Sequence, residues 1–81
     1  MNLFVANFDK DTSEGDLERL FRRYGKVTEV RIWIDNKTGD SREFGFVEMP
    51  DKHEAREAIG ELNDFLWGGR RLRVSKARNQ D

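Results

Sequence analysis

Two phenylalanines spaced one residue apart, Phe44 and Phe46, sit in the run Arg-Glu-Phe-Gly-Phe-Val-Glu-Met at 42–49. At strand period, Arg42, Phe44, Phe46 and Glu48 share one face, and Glu43, Gly45, Val47 and Met49 share the other. The run alone leaves two assignments open. If the phenylalanines form the core side, this is an ordinary buried strand. If Val47 and Met49 form the core side, two rings and a guanidinium lie on an uncovered sheet. Such a surface suits unstacked nucleic-acid bases joined by phosphates, because the rings offer π-faces and the cation offers hydrogen bonds to the backbone.

The surrounding elements bear on the choice. A first strand is predicted over 3–8, with Leu3 and Val5 inward and Phe4 and Ala6 outward. After a polar turn, Ser13 caps a helix, and Asp16 is the acidic half of a capping box. Leu17, Leu20, Phe21 and Tyr24 recur at helical spacing as a core stripe, and Gly25 supplies a left-handed stop after Arg22 and Arg23. Over 27–34, Val30, Ile32 and Ile34 point inward and alternate with Glu29, Arg31 and Trp33, which sets Trp33 outside beside Arg31. A turn-rich segment at 35–41 makes a long hairpin, and Pro50 closes the third strand. Asp51 caps a second helix, Glu54 completes its capping box, and Ala55, Ala58, Ile59 and Leu62 form its buried stripe. A loop at 63–69, anchored by Trp67, leads to a last strand over 70–77. There Leu72 and Val74 point inward, and Arg71, Arg73 and Ser75 outward.

The order strand, helix, strand, strand, helix, strand predicts an α+β, ferredoxin-like β-α-β-β-α-β fold. It is a four-stranded antiparallel sheet with both helices on one face. A single domain spans 1–78, and 79–81 form a frayed tail. The second face of the sheet is then open. Parity sends Phe4, Trp33, Phe44, Phe46 and the outward arginines to it from three strands, which favours the exposed assignment.

Composition narrows the function classes. The 81 residues make one small domain, without room for a catalytic domain and a lid. With no cysteine there is neither a disulfide framework nor a thiolate metal site. The single histidine, His53, falls off the buried stripe of its helix, so no metal or cofactor is expected. No nucleophile–base pair is recognisable, and the chain is not expected to be an enzyme. No signal peptide or membrane span is visible, so a cytoplasmic protein is expected. Charged residues make up 38% of the chain, yet the net charge is −1. Residues 9–18 hold Asp9, Asp11, Glu14, Asp16 and Glu18 against Lys10, whereas 70–78 hold Arg70, Arg71, Arg73, Lys76 and Arg78 with no acid. A positive open face and a negative helix side are expected.

The chain resembles the RNA recognition motif family from 3 to 77. The run at 42–49 resembles the family's octapeptide, and Leu3-Phe4-Val5-Ala6-Asn7-Phe8 its hexapeptide. Leu20-Phe21, Tyr24-Gly25, Thr38-Gly39, Leu62-Asn63 and Gly69-Arg70-Arg71-Leu72-Arg73-Val74 are similar to family positions too. The brevity and the ending Phe-Val-Glu-Met resemble the short stand-alone bacterial and cyanobacterial RNA-binding members. The resemblance implies single-stranded RNA as partner, with single-stranded DNA as a second ligand unless the 2′-hydroxyl is read. Phe4 and Phe44 would each stack on a base, and Phe46 would pack against a sugar or between residues. Arg42 would contact phosphate, and Trp33 would extend the platform beside Arg31. Arg71, Arg73, Ser75, Lys76 and Arg78 would guide the backbone, while Asn7 would be structural. Glu43 stands where the family usually has glycine, and parity turns it toward a salt bridge at the rim. As an RNA binder the chain is expected to be a monomer; the alternative function is a protein-interaction module on the same fold, binding a peptide or partner through the helix face or the Phe65-Leu66-Trp67 loop.

Overall fold

Leu3 and Val5 are fully buried and Phe4 between them is not, so the chain opens on a strand with two unlike faces, β1 (Asn2–Ala6). The computed structural model describes residues 1–34, 37–39 and 41–77, and of Ser41 and Arg42 the backbone alone. The expected tail at 79–81, Arg78 and the Arg42 side chain lie outside the described residues. β1 pairs antiparallel on one side with β3 (Ser41–Glu48), which pairs antiparallel with β2 (Glu29–Ile34). On its other side β1 pairs antiparallel with β6 (Arg73–Lys76), giving the order β2-β3-β1-β6.

The helices α1 (Glu14–Phe21) and α2 (Lys52–Leu62) lay their apolar stripes on this sheet. Leu17, Phe21, Ala55, Ala58 and Leu62 join Leu3, Val5, Phe8, Val47, Met49, Leu72 and Val74 in one buried cluster. The capping box of α1 is present. The Asp16 N–H donates to Ser13 Oγ at 3.0 Å, and the Ser13 N–H donates to Asp16 Oδ2 at 2.9 Å. Those bonds to Ser13, reinforced by the nearby Arg19 guanidinium, hold the Asp16 carboxyl below its ordinary value.

Several boundaries differ from the sequence expectations for identifiable reasons. α1 ends at Phe21 with Arg22 as its C-cap, so Tyr24 and Gly25 fall beyond the helix. What glycine provides at position 25 is room, because the Glu54 side chain occupies the space a Cβ would take. Glu54 does not complete a second capping box. Its N–H donates to Asp51 Oδ1 at 3.0 Å, but its Oε1 accepts from the Lys26 N–H at 3.1 Å. The carboxylate thus ties the start of α2 to the chain entering β2.

Ile34 is not inward-facing; it is 51% exposed. α1 begins at Glu14, whose Oε2 accepts from the Ile32 N–H at 3.1 Å, and the β2–β3 register breaks just beyond Ile32. The covered part of β2 therefore stops at Ile32.

The expected last strand is also divided. Leu66–Trp67 (β4) and Arg70–Arg71 (β5) pair with each other as a short separate ribbon, and only β6 joins the main sheet. Leu72, fully buried, makes the division: its N–H donates to the Phe65 carbonyl at 2.9 Å and its carbonyl accepts from the Asp64 N–H at 2.7 Å. Trp67 packs on the core as expected.

Gly45 has a sharper requirement than any loop glycine. A Cβ there would run into the Arg31 carbonyl of the neighbouring strand. Leu20→Ala is expected to remove ~2–5 kcal/mol of stability. Gly45→Ala is expected to lower the melting temperature comparably, by pushing β2 off β3. Circular dichroism melts check both, and a wild-type melt for Gly45→Ala would mean that the strand pair yields there.

Candidate nucleic-acid interface

Strand register fixes which side chains meet on the uncovered face. Phe4 lies opposite Phe46 on β3 and opposite Ser75 on β6, while Phe46 lies opposite Arg31 on β2. One row across the sheet therefore reads Arg31, Phe46, Phe4, Ser75. A second row reads Phe44, Ala6, Arg73. The rings touch: Phe4 and Phe46 meet edge to face with centroids 5.8 Å apart, and Phe4 and Phe44 are tilted at 5.9 Å. Trp33, 45% exposed, stands edge-on to Phe46 at 6.3 Å. Four aromatic side chains from three strands thus form one continuous platform. Ala6, small and set between Phe44 and Arg73, leaves it open.

The phenylalanines are half-buried rather than fully exposed, because each covers part of its neighbours. None of the three belongs to the buried core cluster.

The upper end of the platform carries a backbone feature. Glu43 has a φ of 65°, in the left-handed region, which explains why glycine suits this position. Asn7, across from it, has a φ of 67°, and its N–H donates to the Glu43 carbonyl at 2.9 Å. The Glu43 carboxylate forms the expected rim salt bridge, accepting from Arg70 at 3.1 Å, and the same Arg70 nitrogen donates to the Phe8 carbonyl at 2.7 Å. Asn7 is structural, since its Nδ2 donates to the Arg71 carbonyl at 2.8 Å.

The basic residues divide. Arg31 and Arg73 stand on the platform face, and Arg31 Nε is paired with Glu29 Oε2 at 2.7 Å. Arg71 belongs to the β4–β5 ribbon instead of the main sheet, and its guanidinium donates to the Asp64 carbonyl at 3.1 Å. Lys76 is exposed but lies opposite Leu3, so its parity is that of the helix side at the edge of the sheet. Arg42 lies on β3, and its side chain is outside the described residues.

Charge is less segregated than the sequence suggests. On α1, Arg19 pairs with Asp16 and Arg22 with Glu18, which neutralises much of the helix acid. On the open face, Glu29 and Glu48 lie directly opposite each other, with Asn2 beside Glu48. Asn2, Glu29 and Glu48 line a recess of about 280 Å³ together with Arg31, Trp33 and Phe46. None of these three is among the site residues expected from the sequence. The signal was available in parity, since Asn2 is in phase with Phe4, Glu29 with Arg31, and Glu48 with Phe46.

An antiparallel sheet covered by two helices on one side and paved with aromatics on the other defines an RNA-binding fold class. The chain belongs to the RNA recognition motif family, whose model matches residues 3–73. It is 41% identical over 81 residues to RbpA of Synechocystis, a protein named for RNA binding, covering all of this chain and 80% of that one. It is 48% identical to the serine/arginine-rich splicing factor RS40 of Arabidopsis thaliana over 96% of this chain, which is 21% of that protein. Among solved structures, the RNA-binding protein PG1 superposes with a TM-score of 0.94 at 46% identity, covering 100% of this chain and 98% of that one. A Sex-lethal protein–RNA complex superposes at 0.91 and 35% identity over 99% of this chain and 48% of that one.

In a Trp67→Phe variant the remaining Trp33 is expected to emit at the long wavelength of a solvent-exposed indole and to be strongly quenched by acrylamide. A blue-shifted, protected emission would mean that the outer face of β2 is covered.

Proposed function

We propose that this chain binds single-stranded RNA across β3 and β1. Phe4 and Phe44 each stack on a base, Phe46 packs against a sugar, and Trp33 extends the platform toward β2. The observation that carries the reading is the set of touching rings at 5.8–5.9 Å on a face no helix covers, outside a core that is complete without them. Arg73 and Ser75 flank the rings from β6 and suit phosphate and sugar oxygens. Arg42, Arg71, Lys76 and Arg78 supply further positive charge for the phosphates. The RNA complex of Sex-lethal and the name of the Synechocystis relative support this ligand class.

Three stacks at ~1–3 kcal/mol each, less the ordering of a flexible strand, give a Kd on the order of micromolar. Binding of this kind needs no bond chemistry, metal or cofactor, and the domain acts as a monomer. Single-stranded DNA binds the same platform more weakly where the 2′-hydroxyl is contacted. A cysteine-free chain suits a reducing cytoplasm. Among the described residues no helix is long and apolar enough to cross a membrane.

Phe4→Ala and Phe44→Ala are each expected to weaken RNA binding by roughly 5- to 150-fold. They should cost only the ring contact, ~0.5–1.5 kcal/mol, with a small loss of exposed packing. Affinity should also fall as salt rises, through the phosphate contacts. Fluorescence anisotropy of labelled oligonucleotides at two salt concentrations, with melting curves, checks all three. If Phe44→Ala folds and binds RNA as the wild type does, the platform is not the site. A partner-binding role for the exposed Phe65 and Leu66 then takes precedence.

A further inference from the structure

The recess at the lower end of the platform has a chemistry the stacking rings do not explain. Glu48 lies between Asn2 on β1 and Glu29 on β2, all on the open face. Like charges directly opposite in a sheet destabilise it, and Arg31 offsets only the Glu29 side through its 2.7 Å ion pair. Among the described residues the Glu48 carboxylate has no hydrogen-bond or ion-pair partner. The core does not use it. A carboxylate pair repels phosphate, so the backbone of an RNA strand does not settle there. What the recess admits is a neutral base, with Trp33 and Phe46 as its aromatic walls, 6.3 Å apart and nearly perpendicular.

A carboxylate only accepts hydrogen bonds, so the base must present donors. On their Watson–Crick edges uracil has one N–H between two carbonyls, and adenine and cytosine have one amino group beside an acceptor nitrogen. Guanine alone sets two donors, N1–H and N2–H₂, side by side, matching the two oxygens of one carboxylate. Resting on the RNA-binding reading above, we propose that the recess lined by Trp33, Phe46 and Glu48 is a guanine subsite, with Glu48 as its specificity-determining residue.

The test uses the whole chain and fluorescein-labelled pentanucleotides of sequence UUGUU, UUIUU, UUAUU and UUUUU, where I is inosine, which lacks the N2 amine but keeps N1–H. The wild type is expected to bind UUGUU roughly 5- to 150-fold more tightly than UUUUU, with UUIUU between them. In Glu48→Gln the ratio of the two affinities should collapse toward one. The variant should melt at or above the wild-type temperature, since it removes a like-charge pair. Equal wild-type affinity for all four pentanucleotides overturns the guanine subsite and leaves the RNA-binding reading standing. So does a guanine preference that survives unchanged in both Glu48→Gln and inosine. Failure of every pentanucleotide to bind overturns both.

Discussion

Everything in this molecule follows from the fact that two helices can cover only one face of a four-stranded sheet. Strands lie ~4.8 Å apart and a helix with its side chains is ~10 Å wide, so two helices side by side match the width of four strands. The helical apolar stripes are used up on Leu3, Val5, Val47 and Val74. Alternation then brings every second residue of each strand to a face with nothing left to bury it. Residue types on that face are released from the demands of the core. A chain selected for folding alone would place polar residues there. Phe4, Phe44, Phe46 and Trp33 are instead apolar area kept partly in water, and only a ligand returns the lost burial.

That logic was legible wherever the period of two was unbroken. Leu3, Val5 and Val47 are buried where alternation put them, and Phe4, Phe44, Phe46 and Trp33 are on the open side. It was not legible where a neighbour decides the outcome. Ile34 has the parity of a core residue but lies beyond the reach of α1, whose length was set by its caps. Glu54 has the spacing of a capping box but finds the Lys26 N–H instead, a contact 28 residues away in sequence. Arg71 continues the alternation of the last strand, yet burial of Leu72 breaks that strand in two and sends Arg71 to the ribbon. In each case local pattern proposes a position, and a contact distant in sequence settles it.

The same limit explains the charge distribution. Counting along the chain places acid near α1 and base near the end, but counting ignores which charges pair. Arg19 and Arg22 neutralise acids one turn away on their own helix, so the helix side is less negative than its composition. Such exposed pairs contribute little to stability, but they remove long-range field. What remains on the open face is a gradient. Arg73 lies toward the Phe44 end, and Glu29 and Glu48 lie toward the Asn2 end. The face therefore offers cation at one end and carboxylate at the other.

Backbone strain at the rim completes this geometry. Between Ile32↔Gly45 and Ile34↔Ser41 the third strand carries two extra residues, and Glu43 absorbs the excess in a left-handed conformation. A non-glycine residue held there costs about 1–3 kcal/mol. The Asn7 N–H on its carbonyl and Arg70 on its carboxylate hold it in place. The bulge disturbs only the pairing with β2: the β1–β3 register runs unbroken, so Phe44, Phe46 and Glu48 stay in phase with Ala6, Phe4 and Asn2. Gly45, which brings the strands too close for a Cβ, lies at the same junction. Trp33, opposite the bulge, has no regular partner across from it and leans on Phe46 instead. A perfectly regular hairpin would have set Trp33 opposite Phe44, so the irregularity in pairing decides which ring of the platform the second-strand aromatic meets.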